Sequence, residues 1–251
     1  MKPYYILSLL LALFFSSCRI PLVNMTLQKL GIFEDEVKLI KLKKDNNEIA
    51  FIPIHHAGTR EFYNDVTKKI DSLEAIGYFM YWEKIKSKKM DSTKADTVSR
   101  KLRKITGIYT FGNDFVSVLD TLTKNKLHKL KKQLINQPSY WDLGIDSLNS
   151  KNADATVEQI LEFHDEKYGK VVLEPCDFET KITEKSSCQN LENHKDISDD
   201  IIINFRNQIV LEELDKEIKN KIAIVYGRGH LEGIKKGLIE RGYIQVAPLP
   251  D

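Results

Sequence analysis

Three places in this chain set residues capable of chemistry where an apolar run gives way to a turn. The first is Ile52-Pro53-Ile54-His55-His56-Ala57-Gly58-Thr59-Arg60, with two histidines between an apolar segment and a glycine. The second is Trp82-Glu83, a carboxylate closing an aromatic run. The third is Ala223-Ile224-Val225-Tyr226-Gly227-Arg228-Gly229-His230-Leu231-Glu232-Gly233, where an apolar run meets a glycine turn and then a histidine. Two imidazoles and a carboxylate suit a divalent transition metal that keeps a coordination position open for water. Such an ion brings the pKa of its water down toward ~7 and so makes hydroxide for attack on a carbonyl. The chain has no His-Glu-x-x-His sequence, so these ligands would sit at strand ends rather than along one helix.

The elements that must position them follow from hydrophobic periodicity. Residues 37–42 and 49–54 read as two strands joined by Lys44-Asp45-Asn46-Asn47. Residues 60–75 carry Phe62, Val66, Ile70 and Leu73 at helical spacing, and 78–83 follow as an aromatic strand. Residues 84–104 are basic and show no apolar pattern, which predicts a solvated loop. In the middle, 107–192, helices are expected at 116–134 and 156–168, with a short strand at 169–173. Ile197, Ile201, Phe205, Ile209 and Leu214 stripe a long helix over 196–219. A strand at 221–226, a helix at 230–241 and a last strand at 243–247 close the chain. Strand–helix–strand alternation at both ends gives an α/β (α+β) fold: a central mixed sheet flanked by helices, with a helical insertion in the middle. In such sheets ligands gather at the carboxyl ends of the strands, where His56, Glu83 and His230 fall. Gly227, Gly229 and Gly233 are spaced GxGxxxG rather than GxGxxG, and only one strand follows them. A dinucleotide site is therefore not expected. His128, His164 and His194 lie in polar contexts and read as surface residues.

Across 251 residues, 38 Lys+Arg stand against 36 Asp+Glu, so there is no concentrated basic footprint and no nucleic-acid partner is expected. The apolar residues are unevenly spread. Residues 4–15 form a run too short to span a bilayer but right for the core of a secretory signal, and Ser16-Ser17 lead into Cys18. Small residues before a cysteine resemble a bacterial lipobox, in which Cys18 is acylated and becomes the mature N-terminus. That makes 1–17 a lipoprotein signal peptide, 18–35 a tether and 36–251 the folded domain. The protein would then be held to a membrane by its N-terminal lipid, in the bacterial cell envelope, facing the periplasm or cell exterior. Cys176 and Cys188 remain, twelve apart. In an oxidising compartment they either pair as a disulfide or stay as two thiols.

The segment Val225 to Gly233, followed by Gly237-Leu238 and Gly242-Tyr243, resembles the C-terminal signature of the TraB/GumN/Tiki family. That resemblance implies a ChaN-like fold and a metal-dependent hydrolase, metallopeptidase-like, using manganese or cobalt, with zinc a further option. Its substrate would be a peptide or protein. The family has two GxxH motifs. Gly227-Arg228-Gly229-His230 matches the second, and Pro53-Ile54-His55-His56 stands at the first with Pro53 in the glycine position. Neighbouring strand residues face opposite ways, so one of His55 and His56 faces the metal, and His56 is at the motif position. By the same resemblance His56, His230 and Glu83 hold the metal and Arg206 supports the transition state. Asn152-Ala153-Asp154 is also similar to the family. A non-catalytic binding or signalling lipoprotein that keeps the fold is the competing reading, and Pro53 favours it, because proline lacks both the freedom and the N–H of glycine.

Overall fold

The computed structural model describes residues 19–107, 114–184, 186–188 and 195–247. Cys18, the signal segment and His194 lie outside the described residues. Strands β1 (Ile40–Lys44) and β2 (Asn47–Ile54) form the expected hairpin, with Asp45 taking a left-handed φ of 50° in the turn. Helix α1 (Arg19–Lys29) precedes them. After β2 come the short β3 (Ala57–Gly58), helix α2 (Arg60–Ala75) and β4 (Phe79–Trp82). The rest of the sheet is β6 (Ser150–Asn152), β7 (Lys221–Gly227) and β8 (Ile244–Val246), in spatial order β6-β4-β7-β2-β1-β8. From β6 to β2 neighbours are parallel, whereas β1 pairs antiparallel with both β2 and β8. A separate two-stranded ribbon joins β3 to β5 (Ile135–Asn136). The mixed α/β class and the flanking helices are as the sequence indicates.

Burial on both faces explains why the central strands read as continuous apolar runs rather than alternating ones. On one side Ala50, Ile52, Ile54, Met80, Trp82, Ala223 and Val225 pack on Phe62, Val66, Ile70 and Leu73 of α2. On the other, Ile49, Phe51, Tyr81, Ile222, Ile224 and Tyr226 pack on two helices, α8 (Arg206–Asp215) and α9 (Leu231–Glu240). Those helices lie close because α9 presents glycines to α8. A Cβ on Gly237 would stand 2.2 Å from Leu211 Cδ1, and one on Gly233 2.1 Å from Asn207 Nδ2. The parallel strands therefore end together, with helices on both faces holding that edge.

Several local expectations are corrected. The basic stretch 84–104 is no simple loop: α3 (Ser92–Thr106) occupies its second half, capped by Asp91. Its apolar side is sparse, Val98, Leu102 and Ile105, but it packs against α5 (Val157–Tyr168). Its cations turn inward. Buried Arg103 donates to the carbonyls of Asp177, Lys181 and Glu184, and buried Lys104 pairs with Asp177 at 2.8 Å. Residues 116–134 are not one helix. Helix α4 (Phe115–Leu122) stops where Lys124 and Asn125 turn left-handed, with φ of 54° and 59°. Residues 169–173 form no strand, though Val171 is buried through its side chain. The tether is folded over its described part: α1 buries Leu27 and, with Phe33, packs against Leu134, Val116 and Leu119. The middle of the chain is not purely a helical insertion either, since β6 extends the main sheet. His164 is buried in α5, not on the surface, whereas His128 is exposed. The expected helix over 196–219 is present as α7 (Lys195–Asp199), a π-helical segment at Asp200–Phe205 and α8.

Candidate functional site

All four parallel strands deliver a polar residue to the same edge. Glu83 follows β4, His230 follows β7, His55 and His56 follow β2, and Asp154 lies two residues past β6. The fifth contributor, Arg206, comes from the first turn of α8, directly after the π-helical segment. A π-bulge widens the helix and loosens its hydrogen-bond ladder, and such bulges recur at functional sites. Here the widened turn leaves the Ile202 carbonyl as an acceptor for Arg206 Nη1 at 3.2 Å.

Arg206 organises the cluster. Its Nε and Nη2 grip the two oxygens of Asp154, both at 2.8 Å, in a bidentate pair. Nη2 also reaches Glu83 Oε1 at 2.5 Å, and Nη1 reaches His230 Nε2 at 3.2 Å. A guanidinium has five N–H donors, and these contacts occupy all five. The sequence suggested that Arg206 supports a transition state directly. In this arrangement it is a clamp, with no donor left over for a substrate oxygen. Burial makes the clamp matter: the side chains of Asp154, Arg206 and Glu83 are 0%, 6% and 8% exposed.

The arginine also fixes the histidine tautomer. Because it can only donate, His230 Nε2 carries a lone pair and Nδ1 the proton. Nδ1 then donates to Asn207 Oδ1 at 2.8 Å. Burial, reinforced by the Arg206 charge, lowers the His230 pKa to about 3, so the ring is neutral. His56 is held in a similar way: its Nδ1 lies 3.1 Å from Gln137 Oε1, an acceptor, so Nδ1 carries a proton. Each histidine is thus oriented by a side-chain amide, the arrangement that neutral imidazole ligands require. His55 differs. Burial, with Arg228 and His56 nearby, lowers its pKa to about 4, and its ring packs against Phe62.

Glu83 is held from two sides, by Arg206 and by the Gly227 N–H, which donates to Oε2 at 2.6 Å. Of the four motif glycines, Gly227 is needed at this contact, since a Cβ there would stand 3.0 Å from Glu83 Oε2. Gly233 leaves room for Asn207. Gly229 and Gly58 have only ordinary contacts where a Cβ would go, 3.6 Å or 3.4 Å away. Tyr140 packs on Trp82, and burial together with the Glu83 carboxylate pushes its phenol well above the usual range. It therefore stays a proton donor beside Glu83.

The expected metal ligands are only partly brought together. Glu83 Oε1 and His230 Nε2 are 3.5 Å apart, about the separation of two donors sharing an ion at ~2.1 Å. Two acidic residues, Asp154 and Glu83, stand against one arginine in the cluster. His56, exposed and stacked on Phe115 at 4.4 Å, does not complete a three-donor group with them. Among the described residues, one set of donors lies within metal-holding distance, all ligand atoms within 4.8 Å: Glu174, Cys176, Asp177 and Cys188. In that set Cys176 and Cys188 are joined as a disulfide, and Lys104 already pairs with both Glu174 and Asp177. A cavity of about 500 Å³ lined by Asp35, Thr59, Arg60 and Lys132 contains none of the cluster residues.

Glu83, Arg206 and His230, singled out in the sequence, lie together in the structure, joined by Asp154, for which the sequence suggested no role. Asn207, Gln137 and Tyr140 were not singled out. The only signal for Asn207 was its place next to Arg206, while Gln137 and Tyr140 sit in a segment with no motif.

The fold and this edge define an α/β protein with a buried Glu–Arg–Asp–His cluster at the carboxyl ends of its parallel strands. No family model, curated protein or solved structure matches the chain.

Proposed function

We propose that this protein is a lipid-anchored hydrolase of peptide bonds, dependent on a divalent transition metal, with its reaction centre at Glu83 and His230. The observation that carries the reading is the pairing of Glu83 Oε1 with the lone-pair nitrogen of His230, 3.5 Å apart within a buried cluster that also holds Asp154 and Arg206. The resemblance of the Gly227–His230 segment to TraB/GumN proteins points the same way. His230 Nε2 has one lone pair, which here accepts from Arg206 Nη1, so a manganese, cobalt or zinc ion held by Glu83 and His230, with His56 as the sequence-assigned third ligand, would have to displace that bond. When bound, such an ion supplies Lewis acidity and acidifies a water.

The chain's own residues do the rest. Arg206 and the Gly227 N–H fix both oxygens of Glu83, so the carboxylate cannot rotate away. Asn207 holds His230 with Nε2 as the lone-pair atom, and Gln137 orients His56 through Nδ1. Asp154 keeps Arg206 in place and charged. Tyr140, still protonated, is a donor bordering Glu83 for an oxygen that gains charge during attack on an amide. Arg206 is therefore a positioning residue rather than a catalytic one.

The lipid anchor rests on residues 4–18. No helix among the described residues is long and apolar enough to cross a membrane. A second reading, a binding or signalling lipoprotein without turnover, is favoured by one observation: the cluster satisfies itself, with all five Arg206 donors used. Elemental analysis after equilibrium dialysis of the full-length protein against Mn²⁺, Co²⁺ and Zn²⁺ tests the metal site. About one ion per chain is expected, lost in His230→Ala and in Glu83→Gln. Absence of a stoichiometric ion in the wild type, or an unchanged content in both variants, would remove the metal from the account.

A further inference from the structure

The segment that carries Tyr140 holds a second feature that no motif announces. The chain has two tryptophans, and they pack on each other where β4 ends, with Tyr140 also against Trp82. Trp82 directly precedes Glu83 and is buried. Trp141 follows Tyr140 and packs edge-on against Trp82, with ring centroids 5.2 Å apart at 73°. It nevertheless leaves 51% of its surface exposed. The exposed half of the indole is a large apolar contact area that no described residue covers.

The platform is also rigid. Ser139 Oγ accepts from the Asp142 N–H and donates to the Asp142 carboxylate, closing the turn around Trp141. Backbone bonds from Leu143 to Ser139, Gly144 to Trp141 and Ile145 to Tyr140 tighten it further. Leu143 and Ile145 then anchor the turn in the core that packs on α2. A ring held in this way loses little freedom when a ligand covers it. Charge narrows what fits. The Lys86 ammonium lies over the Trp82 ring, 4.7 Å from its centroid, so a cationic side chain is repelled and a neutral one is not.

We propose that Trp141, backed by Trp82 and Tyr140, is a binding subsite for a neutral aromatic side chain of a peptide, adjacent to the bond presented to Glu83 and His230. The assignment of that bond rests on the hydrolase reading; the binding subsite does not. Aromatic pairing plus burial of the exposed indole face corresponds to about a tenfold preference for phenylalanine over alanine, or ~1.4 kcal/mol.

The test uses the full-length protein in detergent and two blocked pentapeptides, one with phenylalanine at its centre and one with alanine. Neither peptide absorbs where tryptophan does, and both tryptophans are at the site, so intrinsic fluorescence reports binding in chelator without turnover. The phenylalanine peptide should bind about tenfold tighter. Trp141→Ala should reduce the preference to within twofold, read from Trp82 emission, and Trp141→Phe should retain most of it. Far-UV circular dichroism checks that the variants fold. Equal binding of both peptides by the wild type, or an undiminished preference in Trp141→Ala, overturns the subsite. Selective binding with no cleavage under any metal keeps the subsite and overturns the hydrolase.

Discussion

Replacing Arg206 with methionine is the perturbation whose cost the structure fixes best. The substitution keeps the apolar stem and deletes the guanidinium. Asp154 then loses both 2.8 Å bonds and keeps the Ala155 N–H, at 2.8 Å. Glu83 keeps only the Gly227 N–H, at 2.6 Å. Breaking one buried ion pair costs about 3–5 kcal/mol, because a charge is left without its partner. Two carboxylates are stranded here, yet each retains a backbone donor, so about 4 kcal/mol is expected. That is a large share of the ~5–15 kcal/mol that holds a typical domain together. Arg206→Lys restores the charge but not the fork and should recover about half. Replacing both partners, Arg206→Met with Asp154→Leu, removes the stranded charge, so the double variant should be more stable than the sum of the singles by about 2–3 kcal/mol. Urea unfolding at pH 7.5 in chelator, followed by fluorescence and circular dichroism, measures each term. A loss below about 1 kcal/mol in Arg206→Met, or strict additivity in the double variant, would refute the clamp.

Three further outcomes follow from the same geometry. Burial and the Arg206 charge hold His230 neutral in the folded state, with its pKa lowered to about 3, while the unfolded chain binds its proton below about 6.5. A histidine pKa depressed by folding makes stability fall as pH drops through the unfolded value. Between pH 7 and 5 the loss from His230 alone should be about 2 kcal/mol, absent in His230→Gln, as denaturation at both pH values would show. Gly233→Ala drives a methyl into Nδ2 of the Asn207 amide, whose Oδ1 accepts from His230, so a loss of about 1–3 kcal/mol is expected in the same unfolding assay. A larger loss of metal content than that destabilisation explains would place Asn207 in the support of the ligand. Cys176→Ser with Cys188→Ser opens a loop with a separation of 12 residues and should cost up to about 3 kcal/mol of stability by chain entropy, with little change in metal bound at the Glu83 cluster.

The sequence was most informative where one period governed a whole element. The β2 and β7 runs and the stripe Phe62, Val66, Ile70, Leu73 gave the sheet, α2 and the strand ends, and with them the positions of Glu83 and His230. It was weakest where charged residues are used inside. Arg103 and Lys104 look like solvent residues until the carbonyls of the 177–184 turn and the Asp177 carboxylate are in place. The same holds for His164, whose polar neighbours in sequence are not its neighbours in space. β6 is three residues long and carries no strand signal of its own; its pairing with β4 is purely tertiary. Arg206 was singled out, but its role depends on Asp154, 52 positions away, and on a π-helical widening that no periodicity reveals. For Gln137 and Tyr140, the ribbon between β3 and β5 does the positioning, and its two-residue strands leave no pattern.

Digestion of an unbiased peptide library by the purified full-length protein, with chelator and then with added Mn²⁺, Co²⁺ or Zn²⁺, separates a metal-dependent peptidase from a binding protein. Cleavage is expected that chelator abolishes, that at least one of these ions restores, and that His230→Ala and Glu83→Gln both lose while remaining folded. No cleavage under any of these ions, or cleavage indifferent to chelator and to both substitutions, would contradict the metal-dependent peptidase.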